Sequence, residues 1–151
     1  MKLPSVLVAM IVSAVAVLAP FVSQAIEPSA VVKVKEVLKT STTWNGAPIK
    51  YPEGKPEITG LIIEVAPGGE TSWHEHPFPS VGMVLEGTLE VTLTDGKKKL
   101  IKSGEALAEV INTAHNGRNI GTGPLKLLVF YSGAVGKPLT IPRPDVKPKT
   151  N

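Results

Sequence analysis

The stretch Val81-Gly82-Met83-Val84-Leu85-Glu86-Gly87-Thr88-Leu89-Glu90-Val91-Thr92-Leu93-Thr94-Asp95-Gly96 decides the fold class. Val81 to Leu85 reads as a short strand that stops at Glu86-Gly87. Leu89 to Thr94 then alternates apolar and polar residues, the period-two pattern of a strand with one face on a core. Asp95-Gly96 follows, a hairpin signal that predicts a type I′ turn, because both central positions of that turn need positive φ.

The same reading extends in both directions. Downstream lie Leu100-Ile101, Ala106 to Ile111 after Ser103-Gly104, and the continuous apolar run Leu125 to Tyr131. Upstream, Ile58 to Val65 is rich in β-branched residues and is broken by Pro67-Gly68-Gly69. Strands separated by turns every 8–12 residues or so indicate a sandwich or barrel, and no stretch of this region looks helical. Val32 to Leu38 is expected as a first strand, Ser41 to Gly46 as a strand end entering a turn, and Ile49 to Pro56 as an extended strap. From Gly136 the chain carries Pro138, Pro142, Pro144 and Pro148. That tail is predicted to form neither ladder nor helix and to be an extended arm or disordered.

The start of the chain has a different character. Lys2 precedes an apolar run from Val6 to Ala19, and Ser23-Gln24-Ala25 offers small residues at the minus-three and minus-one positions. This predicts a secretory signal peptide over residues 1–25. The run is broken by Pro20 and is too short for a membrane span, so no stable anchor is expected after cleavage. The expected layout is therefore residues 1–25 signal peptide, 26–57 N-terminal strand and strap, 58–135 barrel, and 136–151 Pro/Lys-rich tail. The expected location is periplasmic or secreted.

The 126 residues after Ala25 make one domain, long enough to bury a core without staples. No cysteine is present, so neither disulfides nor a cysteine-linked lipid anchor is available. Fifteen basic against 13 acidic residues are interspersed, with Lys97-Lys98-Lys99 the only tight run. With few aromatics and no basic stripe, nucleic acid is not an expected partner.

The residues that carry chemistry are the three histidines, His74, His76 and His115. Side chains at i and i+2 of a strand share a face, so His74 and His76 project together while Glu75 points away. Neutral imidazole suits divalent transition metals, and a third imidazole from a neighbouring strand would complete one face of a coordination shell. The competing reading is three histidines placed by packing or solubility alone.

Spacing sharpens the choice. Gly68, five residues, His74-Glu75-His76, three residues, Ser80, six residues and Gly87 resemble the first cupin motif. Gly104, five residues, Val110, one residue, Asn112, two residues, His115, three residues and Asn119 resemble the second, with Val110 and Asn112 where Pro and Gly are usual. Two motifs in register over Ile58 to Gly133 are far more specific than either alone. The resemblance implies an all-β fold, a cupin-type jelly-roll β-barrel of two antiparallel sheets with a metal ion in its lumen. It implies His74, His76 and His115 as ligands of one divalent transition ion (Fe, Zn, Ni, Mn or Cu).

The family's usual glutamate ligand is Ser80 in this chain. A serine hydroxyl is short and neutral, so a three-His site is expected to leave an open position and a stronger Lewis acid. Glu64, Glu70 and Glu109 are candidates for a compensating carboxylate. A degenerate, metal-free barrel is the alternative.

Parity with Ser80 turns Gly82 and Val84 to the lumen and Val81, Met83 and Leu85 outward, an apolar face suited to a homodimer. Ser80, Gly82, Phe78, Asn119 and Glu109 are the candidate pocket residues, with Phe78 at a stiff Pro77-Phe78-Pro79 mouth and Asn119 expected to fix backbone. Trp73 should point away from the ion, and either Phe130 or Tyr131 must face inward. The expected function is a metal-dependent oxygenase or lyase acting on a small anionic or chelating molecule. The alternative is a non-catalytic domain binding a metal or small ligand.

Overall fold

A computed structural model describes residues 29–147, so the expected signal peptide lies outside the described residues. The chain divides into two compact units after Lys35. In the first, the described residues 29–35 hold a turn in which Ser29 and Val32 exchange backbone hydrogen bonds. The second contains every strand and no helix among the described residues.

Nine strands follow in order: β1 (Pro56–Val65), β2 (His74–Glu75), β3 (Ser80–Glu86), β4 (Thr88–Leu93), β5 (Lys98–Lys102), β6 (Ala106–Ala108), β7 (His115–Asn119), β8 (Leu125–Ala134) and β9 (Ile141–Pro142). They form a four-stranded sheet in the order β1-β8-β3-β6 and a five-stranded sheet in the order β5-β4-β7-β2-β9. All pairings are antiparallel. This is the two-sheet jelly roll that the sequence led us to expect.

The core follows from the period of two. Leu89, Val91 and Leu93 of β4 are buried, while the residues between them are half-buried. On β8, Leu125, Leu127, Val129 and Tyr131 face in, and Phe130 is 48% exposed. Leu89, Val91, Leu125, Leu127, Val129 and Tyr131 join Val84, Ile101 and Leu107 in one apolar cluster in the lumen. On β3, Ser80, Gly82 and Val84 are buried and Val81 and Leu85 exposed, as parity requires.

Three expectations are corrected. Val32 to Leu38 forms no strand and is almost wholly exposed, because none of its backbone finds a ladder partner. The tail is not excluded from the sheets: β9 pairs with β2, placing Pro142 opposite His74 and Ile141 opposite Glu75. Pro142 is tolerated because β9 is an edge strand, where a missing N–H costs no ladder bond. The Asp95-Gly96 hairpin exists, but only Gly96 has positive φ, at 88°. Leu93 N–H donates to Lys97 O at 2.9 Å and Gly96 N–H to Leu93 O at 3.0 Å. This is a three-residue loop with glycine at the left-handed position rather than a type I′ turn.

Gly87, which ends β3, shows why glycine is required there. Its φ is 83°, and a Cβ would lie 2.7 Å from the Pro124 carbonyl oxygen.

Candidate metal centre

β2 and β7 bring the histidines together. His74 lies directly opposite His115 in the β2–β7 pairing. His76 follows β2 on the same face, and its carbonyl accepts from the Asn112 amide at 2.8 Å. The ring centroids are 4.4 Å apart for His74 and His115, 4.9 Å for His74 and His76, and 5.0 Å for His76 and His115. The three candidate ligand atoms lie within 4.8 Å of one another.

The backbone orients each ring. The Nδ1 of His74 is 2.8 Å from Ser72 O, that of His76 is 3.0 Å from Leu139 O, and that of His115 is 2.9 Å from Thr113 O. A carbonyl can only accept, so each Nδ1 carries the hydrogen and each Nε2 keeps its lone pair for the lumen. Burial, the largest cause in each case, holds all three rings below the usual histidine range, and His76 down to about 3. The site therefore offers three neutral imidazoles at neutral pH, the form that binds a metal.

His74, His76 and His115 line a cavity of about 50 Å³ together with Glu109, Ile63, Leu89, Val91, Leu127, Val129 and Tyr131. That volume has room for an ion and a few water-sized groups. His74, His76, Ile63, Thr71 and Tyr131 also line an open funnel of about 530 Å³, which has Glu64 and Glu70 on its wall. Among the described residues, no lysine or arginine lines either space.

The carboxylates separate cleanly. Glu75 points away from the histidines and accepts from Arg143 Nη1 at 2.7 Å. Glu64 pairs with Lys126 at 2.8 Å, and Glu70 with Arg118 at 3.6 Å and the Asn116 side chain at 2.8 Å. Among the described residues, Glu109 is the carboxylate on the wall of the small cavity, with Oε2 3.8 Å from His115 Nε2. Burial pushes its carboxyl up to about 7. Its Oε2 and the buried Ser80 Oγ have no hydrogen-bond partner among the described residues.

The other pocket candidates serve packing. Asn119 is fully buried and spends its side chain on backbone, donating to Val65 O and Gly123 O and accepting from Gly121 N–H, each at 2.9 Å. Phe78 is buried against Gly133, and Gly82 lies against Leu107 and Val129, where a Cβ would make ordinary van der Waals contact. Of Phe130 and Tyr131, the tyrosine faces inward, its ring 5.2 Å from that of His76. Sequence reading missed Leu139, whose carbonyl fixes the His76 ring from 63 residues away. No local pattern signals that contact.

Imidazoles with free Nε2 atoms and an unpartnered buried carboxylate oxygen fit a divalent transition ion. Residues 61–131 match the family model described as a cupin domain, and this stretch of the chain is a cupin domain. Among solved structures, oxalate oxidase shares 21% identity, covering 58% of this chain and 46% of that one, with a TM-score of 0.50. An uncharacterized conserved protein with a double-stranded β-helix domain from Klebsiella pneumoniae shares 17%, covering 63% and 91%, also at 0.50. The Lactobacillus farciminis oxalate decarboxylase formate complex shares 24%, covering 52% and 25%, at 0.48. This chain thus spans less than half the length of the oxidase and a quarter of the decarboxylase. At these identities the likeness is one of fold. No curated protein matches the chain.

Proposed function

We propose that this cupin holds one divalent transition-metal ion through His74, His76 and His115 and acts as a metal-dependent oxygenase or lyase on a small chelating or anionic molecule. The observation that carries the reading is the common orientation of the three rings, each with Nδ1 tied to a carbonyl and Nε2 left for the lumen. When bound, such an ion supplies Lewis acidity and open positions for exogenous ligands.

The chain's own residues then set the terms of binding. With no lysine or arginine among the described residues of the cavity or funnel wall, an anionic substrate meets no side-chain cation there and relies on the centre itself. The apolar wall of Ile63, Leu127, Val129 and Tyr131 excludes water, and about 50 Å³ admits only the reacting end of a molecule. Among the described residues, Glu109 is the carboxylate on the cavity wall beside the histidines, and its Oε2 is buried.

The same small volume favours a second reading, a domain that binds a metal without turnover. Elemental analysis of protein purified from its native compartment, followed by oxygen uptake and product analysis over diketones, thiols, flavonols and organic acids including oxalate, separates the two. Iron-loaded protein that consumes oxygen or cleaves one of these classes supports the enzyme. A loaded centre inert to all of them supports binding alone.

Export through a signal peptide over residues 1–25 belongs to the same proposal, and is tested by N-terminal sequencing of the mature protein. So does a homodimer through the outer face of the four-stranded sheet, where Ile62, Val81, Leu85 and Phe130 are exposed. A monomeric mass by light scattering would remove the dimer.

A further inference from the structure

We propose that Glu109 is a fourth protein ligand of this centre, delivered from the end of β6 beside Ser80. The inference rests on the reading that the three histidines hold an ion, and it changes what that ion would experience.

Position comes first. Val81 pairs with Ala108 in the β3–β6 ladder, which sets Ser80 opposite Glu109, and the Glu109 amide donates to the Ser80 carbonyl at 2.9 Å. Ser80 is buried with a side chain of two heavy atoms, so it leaves space beside its neighbour for the longer carboxylate. Glu109 enters the cavity that His74, His76 and His115 line. Its Oε2 stands 3.8 Å from His115 Nε2, while the atoms that lie within 4.8 Å of one another are those of the three imidazoles, so the carboxylate borders the cluster from the His115 side and must swing inward to join it.

Partnering comes second. Glu64, Glu70 and Glu75 are each satisfied by a cationic neighbour, whereas no lysine or arginine among the described residues pairs with Glu109. A carboxylate oxygen buried without a donor is costly, and such a group marks a missing counter-charge. The three neutral rings cannot provide that charge; an ion held among them does. A glutamate stem has enough freedom about its own bonds to bring the oxygen to a coordination distance of about 2.0–2.2 Å.

The consequence is electrostatic. Three neutral histidines would leave a divalent ion with its full charge, whereas one carboxylate in the shell cancels half of it. The centre is then a weaker Lewis acid than the histidines alone imply, and the role of the missing residue 80 carboxylate passes to a different strand.

Calorimetric titration with Co(II), read together with the visible absorption of the bound ion, tests this on the full exported chain. Wild type is expected to bind one Co(II), and His76→Ala to lose it. Glu109→Gln should weaken binding by at least about tenfold and change the Co(II) spectrum. Wild type that binds no Co(II) overturns the metal reading itself. Wild type that binds, with Glu109→Gln equal in affinity or unchanged in spectrum, overturns the role of Glu109 and leaves the three-histidine centre standing. If Glu109→Gln fails to fold by circular dichroism, a crystal structure of Co(II)-loaded wild type decides. A Glu109 oxygen at about 2.0–2.2 Å from the ion supports the proposal, and a carboxylate that stays in the second shell overturns it.

Discussion

The backbone amide of Asn112 donates to the carbonyl of His76 at 2.8 Å, so the loop after β6 holds the segment that carries two of the three histidines. Asn112 has φ of 49°, a left-handed conformation that asparagine tolerates and β-branched residues do not. Asn112→Gly should fold and bind metal as wild type does. Asn112→Val should lose about 1–2 kcal/mol of stability and weaken metal binding, measured by chemical denaturation and by titration. Equal behaviour of the two variants would separate this loop from the centre.

The His76 ring depends on the end of the chain. Leu139 O accepts from its Nδ1, β9 closes the sheet edge beside β2, Arg143 N–H donates to Trp73 O at 2.8 Å, and the Arg143 guanidinium clamps Glu75. Truncation after Pro138 removes Leu139, β9 and Arg143 together, and should keep the β-strand circular dichroism because β1 to β8 remain. Metal affinity is expected to fall about 10–100-fold, the usual effect of removing a group that orients a ligand. A truncated protein with undiminished affinity would show that the remaining contacts suffice.

Stability of the metal-free protein should depend on pH in a direction set by burial. The unfolded histidines bind protons below about 6.5, while the folded rings resist protonation, His76 until about 3. Folded stability is therefore lost as pH falls through that window. Glu109 acts oppositely: its folded carboxyl titrates near 7 and its unfolded one near 4.5, so its contribution is present below 4.5 and lost as pH rises through about 7. Three histidines outweigh one glutamate, and the melting temperature in chelator should drop between pH 6.5 and pH 3.5. Scanning calorimetry showing a flat profile there would contradict the buried, neutral rings.

Leu125 begins β8, is fully buried and belongs to the lumen cluster. Leu125→Ala should cost about 2–5 kcal/mol, read as a lower denaturation midpoint at unchanged slope. A cost under 1 kcal/mol would mean that the sheets close over the void.

What was legible in the sequence was local. The alternation of Leu89, Glu90, Val91, Thr92 and Leu93 fixed which side of β4 is buried, and the two-residue spacing of His74 and His76 fixed their shared direction. Contacts between distant segments were not legible. The choice of Tyr131 over Phe130 as the inward aromatic is set by the register that pairs Tyr131 with Ser80 and Thr59. Glu109 was one of three equivalent glutamates until the strands placed cations beside the other two. The prolines of the tail argued against a ladder, yet an edge strand of two residues needs so few donors that Pro142 fits.

Leu139 to Pro142 complete the seat of His76 from a segment that follows the core strands in the chain. Every core strand from β1 to β8 precedes it, so the barrel has all its parts before the third imidazole has its backbone anchor. If the three imidazoles bind an ion as proposed, a folding chain in which His74, His76 and His115 have met but residue 139 has not yet docked would be a poor sink for metal.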